Sequence, residues 1–149
     1  MADTRGPGTR TKARKRALDI LFEADLREED VLETLHERVS DAEPPVRDFT
    51  AQIVAGVARD GVLVDDIIAS SLGDGWTVSR MARVDRNLAR IAVWELWFTD
   101  VPSAIAIDEA VGLAGELSTD SSPGFLNGLL GKAVTFRPKT PRDSSPTES

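Results

Sequence analysis

Proline marks where this chain can be helical. It stands at positions 7, 44, 45, 102, 123, 138, 141 and 146, and nowhere from 46 to 101. Proline removes a backbone donor and clashes with the preceding turn, so it is kept out of helix interiors. Its gaps therefore delimit the longest helices available. Apolar residues fill those gaps at intervals of three and four, the spacing that gathers side chains on one helix face. Leu32, Leu35 and Val39 follow Asp30, an N-cap candidate. Val46, Phe49, Ile53 and Val57 form a stripe entered through Pro44-Pro45. Val64, Ile67, Ile68 and Leu72 form another, stopped by Gly73-Asp74-Gly75. Met81, Val84, Leu88, Ile91 and Ala92 make a longer one. Beyond Pro102, Ile107, Ala110, Val111, Ala114 and Leu117 repeat, and Leu126, Leu129, Leu130 and Ala133 close the series. With one helix before position 30 this predicts an all-α bundle of seven helices on short connections. No segment alternates at a two-residue period with β-branched enrichment, and no repeat has a solenoid period.

A chain of 149 residues, 41% apolar and 29% charged, suits one soluble domain with a sizeable core. The absence of cysteine excludes disulfides and thiolate metal sites, and fits a reducing cytoplasm. The basic amino terminus is not followed by an apolar stretch, so no signal peptide is expected, and no apolar run approaches a membrane span. Residues 1–9 are expected as a flexible basic segment and 10–136 as the helical domain. Residues 137–149 (RPKTPRDSSPTES) are expected as a disordered tail, because three prolines and no large apolar side chain leave little to offset the entropy of ordering.

Charge is unevenly placed. Residues 1–16 carry six Arg or Lys against one Asp, whereas the whole chain carries a net −7. A concentrated cationic segment suits a phosphate backbone, through Coulomb attraction and counterion release, but charge alone favours a solvated tail. Helical projection adds detail. At roughly 100° per residue, Ala13, Ala17, Leu18, Ile20, Leu21 and Ala24 sweep about half the circumference. Lys12, Lys15, Arg16, Asp19 and Glu23 occupy the remaining polar strip. Phe22 borders it, roughly 20° from Lys15. A ring beside cations is what single-stranded nucleic acid uses, bases stacking while the cations hold phosphates; a lone aromatic at helical spacing also reads as core. The last helix repeats the pattern with Phe125 and Lys132.

Catalytic constellations are poor. His36 is the only histidine and reads as a solvated surface imidazole. Asp65-Asp66 and Asp108-Glu109 are helix neighbours that point apart. Gly128 to Lys132 fails as a phosphate loop, since Leu126 stands at the first glycine position and Ala133 at the Ser or Thr. Arg90 and Glu95 lie among apolar residues and read as paired structural charges, and Trp94 and Trp97 as core or subunit packing. No active site, cofactor site or metal site is expected.

Three motifs in order carry a resemblance. RVDRNLARIAVWEL (83–96) is followed by VPSAIAIDEAVGLAGEL (101–117) and FLNGLLGKA (125–133). Asp85, Arg86, Arg90, Ile91, Ala92, Trp94, Glu95 and Leu96 match one family's Asp-Arg, Leu-Arg-(Ile/Leu)-Ala, aromatic and Glu-Leu positions. Pro102 and the run Ile107, Asp108, Glu109 and Ala110 match its Pro and Ile-(Asn/Asp)-Glu-Ala. Phe125, Leu126, Asn127, Gly128, Leu130 and Lys132 match its Phe-(Val/Leu)-Asn-Gly-(Val/Leu)-Leu-x-Lys. ARKRALDILF (13–22) is similar to its amino terminus, and Trp76 stands where many members carry tryptophan. Over roughly residues 10–135 the chain resembles the NusB family of bacterial transcription antitermination factors.

The resemblance implies two small helical subdomains without enzymatic activity. It implies binding of boxA-type leader RNA of ribosomal RNA operons together with NusE, a small-subunit ribosomal protein. The pair would join RNA polymerase and other Nus factors and prevent premature termination. The implied RNA surface comprises Lys12, Arg14, Lys15, Arg16 and Phe22, with Ser121, Ser122, Phe125 and Lys132; NusE would meet acidic faces of the middle helices. Two departures bear on that surface. Asp19 stands where the family often has glutamine, and a carboxylate repels phosphate. Ser121-Ser122-Pro123 replaces a more polar or charged entry, and the serines read equally as helix caps. The alternative function is a self-associating helical interaction module, a homodimer in which the first helix is buried between subunits and RNA binding is weak or gated. An RNA methyltransferase carrying a NusB-like domain is set aside, because no Gly-rich strand–turn–helix is present.

Overall fold

The computed structural model describes residues 8–41 and 45–137. Its regular structure is helical throughout: α1 (Thr9–Arg27), α2 (Val31–Asp41), α3 (Asp48–Arg59), α4 (Gly61–Ser71), α5 (Arg83–Phe98), α6 (Ser103–Leu117) and α7 (Ser122–Thr135), with a short 3-10 turn at Val78–Arg80 before α5. The predicted stripes map onto these helices one by one. Val46 and Met81 stand just ahead of the helices they were counted with, and Leu72 just after its own. Residues 1–7 and 138–149 of the expected terminal segments lie outside the described residues. Thr9 is already helical, and the Arg137 guanidinium donates to the Leu96 carbonyl at 3.0 Å.

Local chemistry sets the boundaries. Asp30 caps α2, its Oδ2 accepting from the Glu33 N–H at 3.1 Å. Glu28 ends α1 in the left-handed conformation, with φ 56°, while the Glu29 N–H reaches back to the Ala24 carbonyl at 2.9 Å. Asp60 alone separates α3 from α4.

Helices α1, α2 and α3 pack on one another, and α5 and α7 pack on each other and on both α4 and α6; α5 also lies against α1 and α3. One continuous core results, with Ile20, Ile53, Ile68, Leu88, Leu96, Leu126 and Leu130 almost wholly buried. Each such side chain contributes about 1.5–3 kcal/mol by leaving water. The α5 helix is buried on nearly every face, from Asp85 to Leu96 apart from Arg90. Gly56 of α3 sets the α3–α5 approach, because a Cβ there would overlap the Trp94 ring. The Trp94 Nε1–H finds Asp60 at 3.1 Å, and the Trp97 Nε1–H finds the Ala133 carbonyl at 3.2 Å, so both rings serve packing.

Candidate nucleic-acid interface

The projection of α1 holds in three dimensions. Ala13, Ala17, Leu18, Ile20, Leu21 and Ala24 are all buried. Lys12 and Asp19 are exposed, and Lys15 and Arg16 are half-buried. These four line one side of a shallow concavity of about 300 Å³, whose other wall is the approach to α3, including Pro45 and Arg47. Arg47 is a cation that periodicity could not place here, since only the docking of α3 on α1 brings it over. That docking includes a hydrogen bond from Thr50 Oγ1 to the Ala13 carbonyl at 2.9 Å.

Two carboxylates temper this cationic face. Lys15 Nζ donates to Glu116 Oε2 of α6 at 2.7 Å, and that hydrogen bond and charge hold the ammonium above its usual pKa. Asp19 is exposed overall, yet enough protein surrounds its carboxyl that desolvation pushes its pKa above the usual range; Arg16, Arg38 and Lys15 pull the other way. Glu23, also on the strip, is ion-paired to Arg27 at 2.9 Å and to Arg38 of α2. The Arg16 Nε is buried with no hydrogen-bond partner among the described residues.

Arg14 does not share this face. It is 4% exposed and points inward, its Nε and Nη2 gripping both oxygens of Glu95 at 2.8 and 2.7 Å. Its Nη1 meets Glu109 Oε1 at 3.1 Å, an oxygen that also accepts from Thr11. Desolvation opposes this guanidinium's charge, but the hydrogen bonds and charges of Glu95 and Glu109 prevail and raise its pKa. Arg14 is thereby turned away from the cationic face and ties α1 to α5 and α6. The signal was in the sequence: Arg14 stands four and seven residues before Leu18 and Leu21, on the apolar face. Arg10 stacks over Phe49 at 4.3 Å.

At the start of α7, Ser122 is likewise withdrawn. It is 1% exposed, and its Oγ donates to Asp85 Oδ2 at 2.9 Å, while Ser118 donates to the other oxygen at 2.7 Å. Asp85 thus fastens the α6–α7 turn to α5. Ser121 is exposed and occupies the N-cap position without a side-chain capping bond. Phe125 is half-buried, its ring 5.8 Å from that of Trp76. Lys132 is exposed near the far end of α7, and Phe22 is half-buried on α1. The Lys15–Glu116 pair links the basic strip to the end of α6, immediately before the turn that carries Ser121. Predicted positions therefore fall into a cationic face (Lys12, Lys15, Arg16) and an α7 patch (Ser121, Phe125). Arg90 and Glu95 are structural: Arg90 donates to both oxygens of Asp65 at 2.9 and 3.0 Å.

Fold and surface together describe a small all-helical protein whose first helix presents Lys12, Lys15 and Arg16 on one face. A profile of the NusB family matches residues 11–135. The transcription antitermination protein NusB of a Nocardioides species is 47% identical over 130 residues, covering 87% of this chain and 96% of that protein. The structure of T. maritima NusB superposes with a TM-score of 0.77 at 29% identity, covering 91% of this chain and 97% of that one. A crystal structure of antitermination factors NusB and NusE in complex with double-stranded RNA matches with a TM-score of 0.73 at 25% identity, over 85% of this chain and 96% of the matched one. The chain belongs to the NusB family of transcription antitermination factors.

Proposed function

We propose that this protein binds boxA-type leader RNA of ribosomal RNA operons together with NusE, joins RNA polymerase with other Nus factors in the cytoplasm, and so prevents premature termination. It acts by binding rather than by catalysis. Among the described residues no helix is long and apolar enough to cross a membrane. The observation that carries the reading is the gathering of Lys12, Lys15, Arg16 and Arg47 around one concave face of a chain whose net charge is −7. A relative seen with NusE and RNA supports it.

Each phosphate neutralised contributes about −0.7 to the slope of log affinity against log salt for a single strand. The four cations of this face contribute about −3 to that slope. Titration of boxA-like RNA, with and without NusE, tests this. Replacing Lys12, Lys15 and Arg16 together with alanine is expected to weaken binding and flatten the slope by about 2. Wild-type binding by that triple variant would overturn the site.

The second reading, self-association through the α1 face, has its own observation. Half-exposed Ile105 lines a concavity of about 490 Å³ with Phe49, Val101 and Pro102 beside Arg10. Sedimentation discriminates, because a dimer that persists at saturating RNA does not use the RNA face.

A further inference from the structure

Trp76 is held in place yet left open. Gly75, with φ +86°, provides the turn, and the Trp76 N–H closes it on the Gly73 carbonyl at 3.2 Å. The Arg80 guanidinium is tied to the Gly75 carbonyl and sits 5.4 Å from the Trp76 ring. Phe125 lies against the same ring at an interplanar angle of 47°. Despite these two neighbours Trp76 is 47% exposed, whereas Trp94 is 7% exposed. Packing accounts for the covered half of the indole and leaves the open half without a role.

We infer that Trp76 is a base-stacking position for single-stranded RNA, with Arg80 beside it for the adjoining phosphate. Together they extend the α7 patch back onto the turn before α5. An aromatic face flanked by a guanidinium is the arrangement that holds a single strand, and stacking tolerates any base because every base offers a π-face. Trp76 therefore adds affinity without reading sequence. Arg80 is already pinned beside the ring by its backbone bond, so little ordering is left for RNA to impose. The inference rests on the RNA-binding reading above and adds to it a site of different chemistry.

The test is a titration of the full chain with a boxA-like single-stranded RNA oligonucleotide, followed by tryptophan emission and by an independent affinity measurement. RNA is expected to quench the emission of the exposed tryptophan. Trp76→Ala is expected to weaken binding about 5- to 100-fold while leaving the salt slope unchanged, since stacking releases no counterions. Trp76→Phe is expected to keep most of the affinity, which separates a lost ring from a disturbed fold, and Arg80→Ala to flatten the slope by about 0.7. Suppose Trp76→Ala binds within about twofold of wild type while the Lys12, Lys15 and Arg16 triple variant loses binding. The stacking site is then overturned and the RNA reading stands. If neither variant affects binding, both fall. Quenching by NusE but not by RNA would assign Trp76 to a protein contact and overturn the inference.

Discussion

At the scale of single residues, burial separates charges that look alike in sequence. Arg14 and Lys15 are neighbours in one basic run, yet a step of about 100° along the helix turns one into the core and the other toward solvent. Arg14 is consumed by Glu95 and Glu109, whereas Lys15 is paired with exposed Glu116. An exposed pair of this kind is weak, so phosphate competes with Glu116 for the same ammonium. Glu116→Gln is therefore expected to raise RNA affinity by about threefold at low salt and to leave the salt slope near its wild-type value, because Lys15 already contributes its phosphate contact there. A filter-binding series across salt concentrations checks both, and unchanged affinity would mean that Lys15 makes no phosphate contact. Ser122 teaches the same lesson. Sequence offered capping or RNA contact, and neither the spacing nor the residue type pointed to Asp85, 37 positions away.

Among helices, buried polar groups decide registry where apolar stripes alone would allow sliding. The Arg14–Glu95 pair, with Glu109 and Thr11 alongside, fixes α1 against α5 and α6, and so fixes the direction in which its basic strip faces. Glu95 is 1% exposed, and removing it strands a guanidinium in the core. Glu95→Ala is expected to cost about 3 kcal/mol in urea unfolding. If the loss is much smaller, Glu109 alone compensates Arg14. Helix positions themselves were legible, because proline spacing and three-and-four periodicity are local properties of the chain. The 3-10 turn at Val78–Arg80 was not, since three residues carry no periodic signal.

Across the whole molecule, Asp25 joins the two helical groups. From the end of α1 it accepts from Arg86 at 2.9 Å and Asn87 at 2.9 Å, and Arg90 extends the network to Asp65 on α4. Desolvation works against the Asp25 charge, but the hydrogen bonds from Asn87 and Arg86 and the charges of Arg86 and Arg90 outweigh it, so its pKa lies below the usual aspartate value. A depressed carboxylate stabilises the fold at pH above its ordinary value, and that contribution is lost as pH falls through the lower, folded value. Asp25→Asn is accordingly expected to be about 2 kcal/mol less stable than wild type at neutral pH. The gap should close as acid protonates Asp25. Urea midpoints of both proteins from pH 7 downward measure it, and a gap that persists in strong acid would count against the network. By itself the sequence determined the helices, their apolar faces and the cationic strip of α1, because these depend on residues a few positions apart. Only the tertiary structure decided that Arg14 meets Glu95 and Glu109, that Ser122 meets Asp85, that Arg47 joins the strip, that Glu116 answers Lys15, and that Trp76 meets Phe125 and Arg80. Each of those depends on which helices pack together, and local periodicity does not encode that.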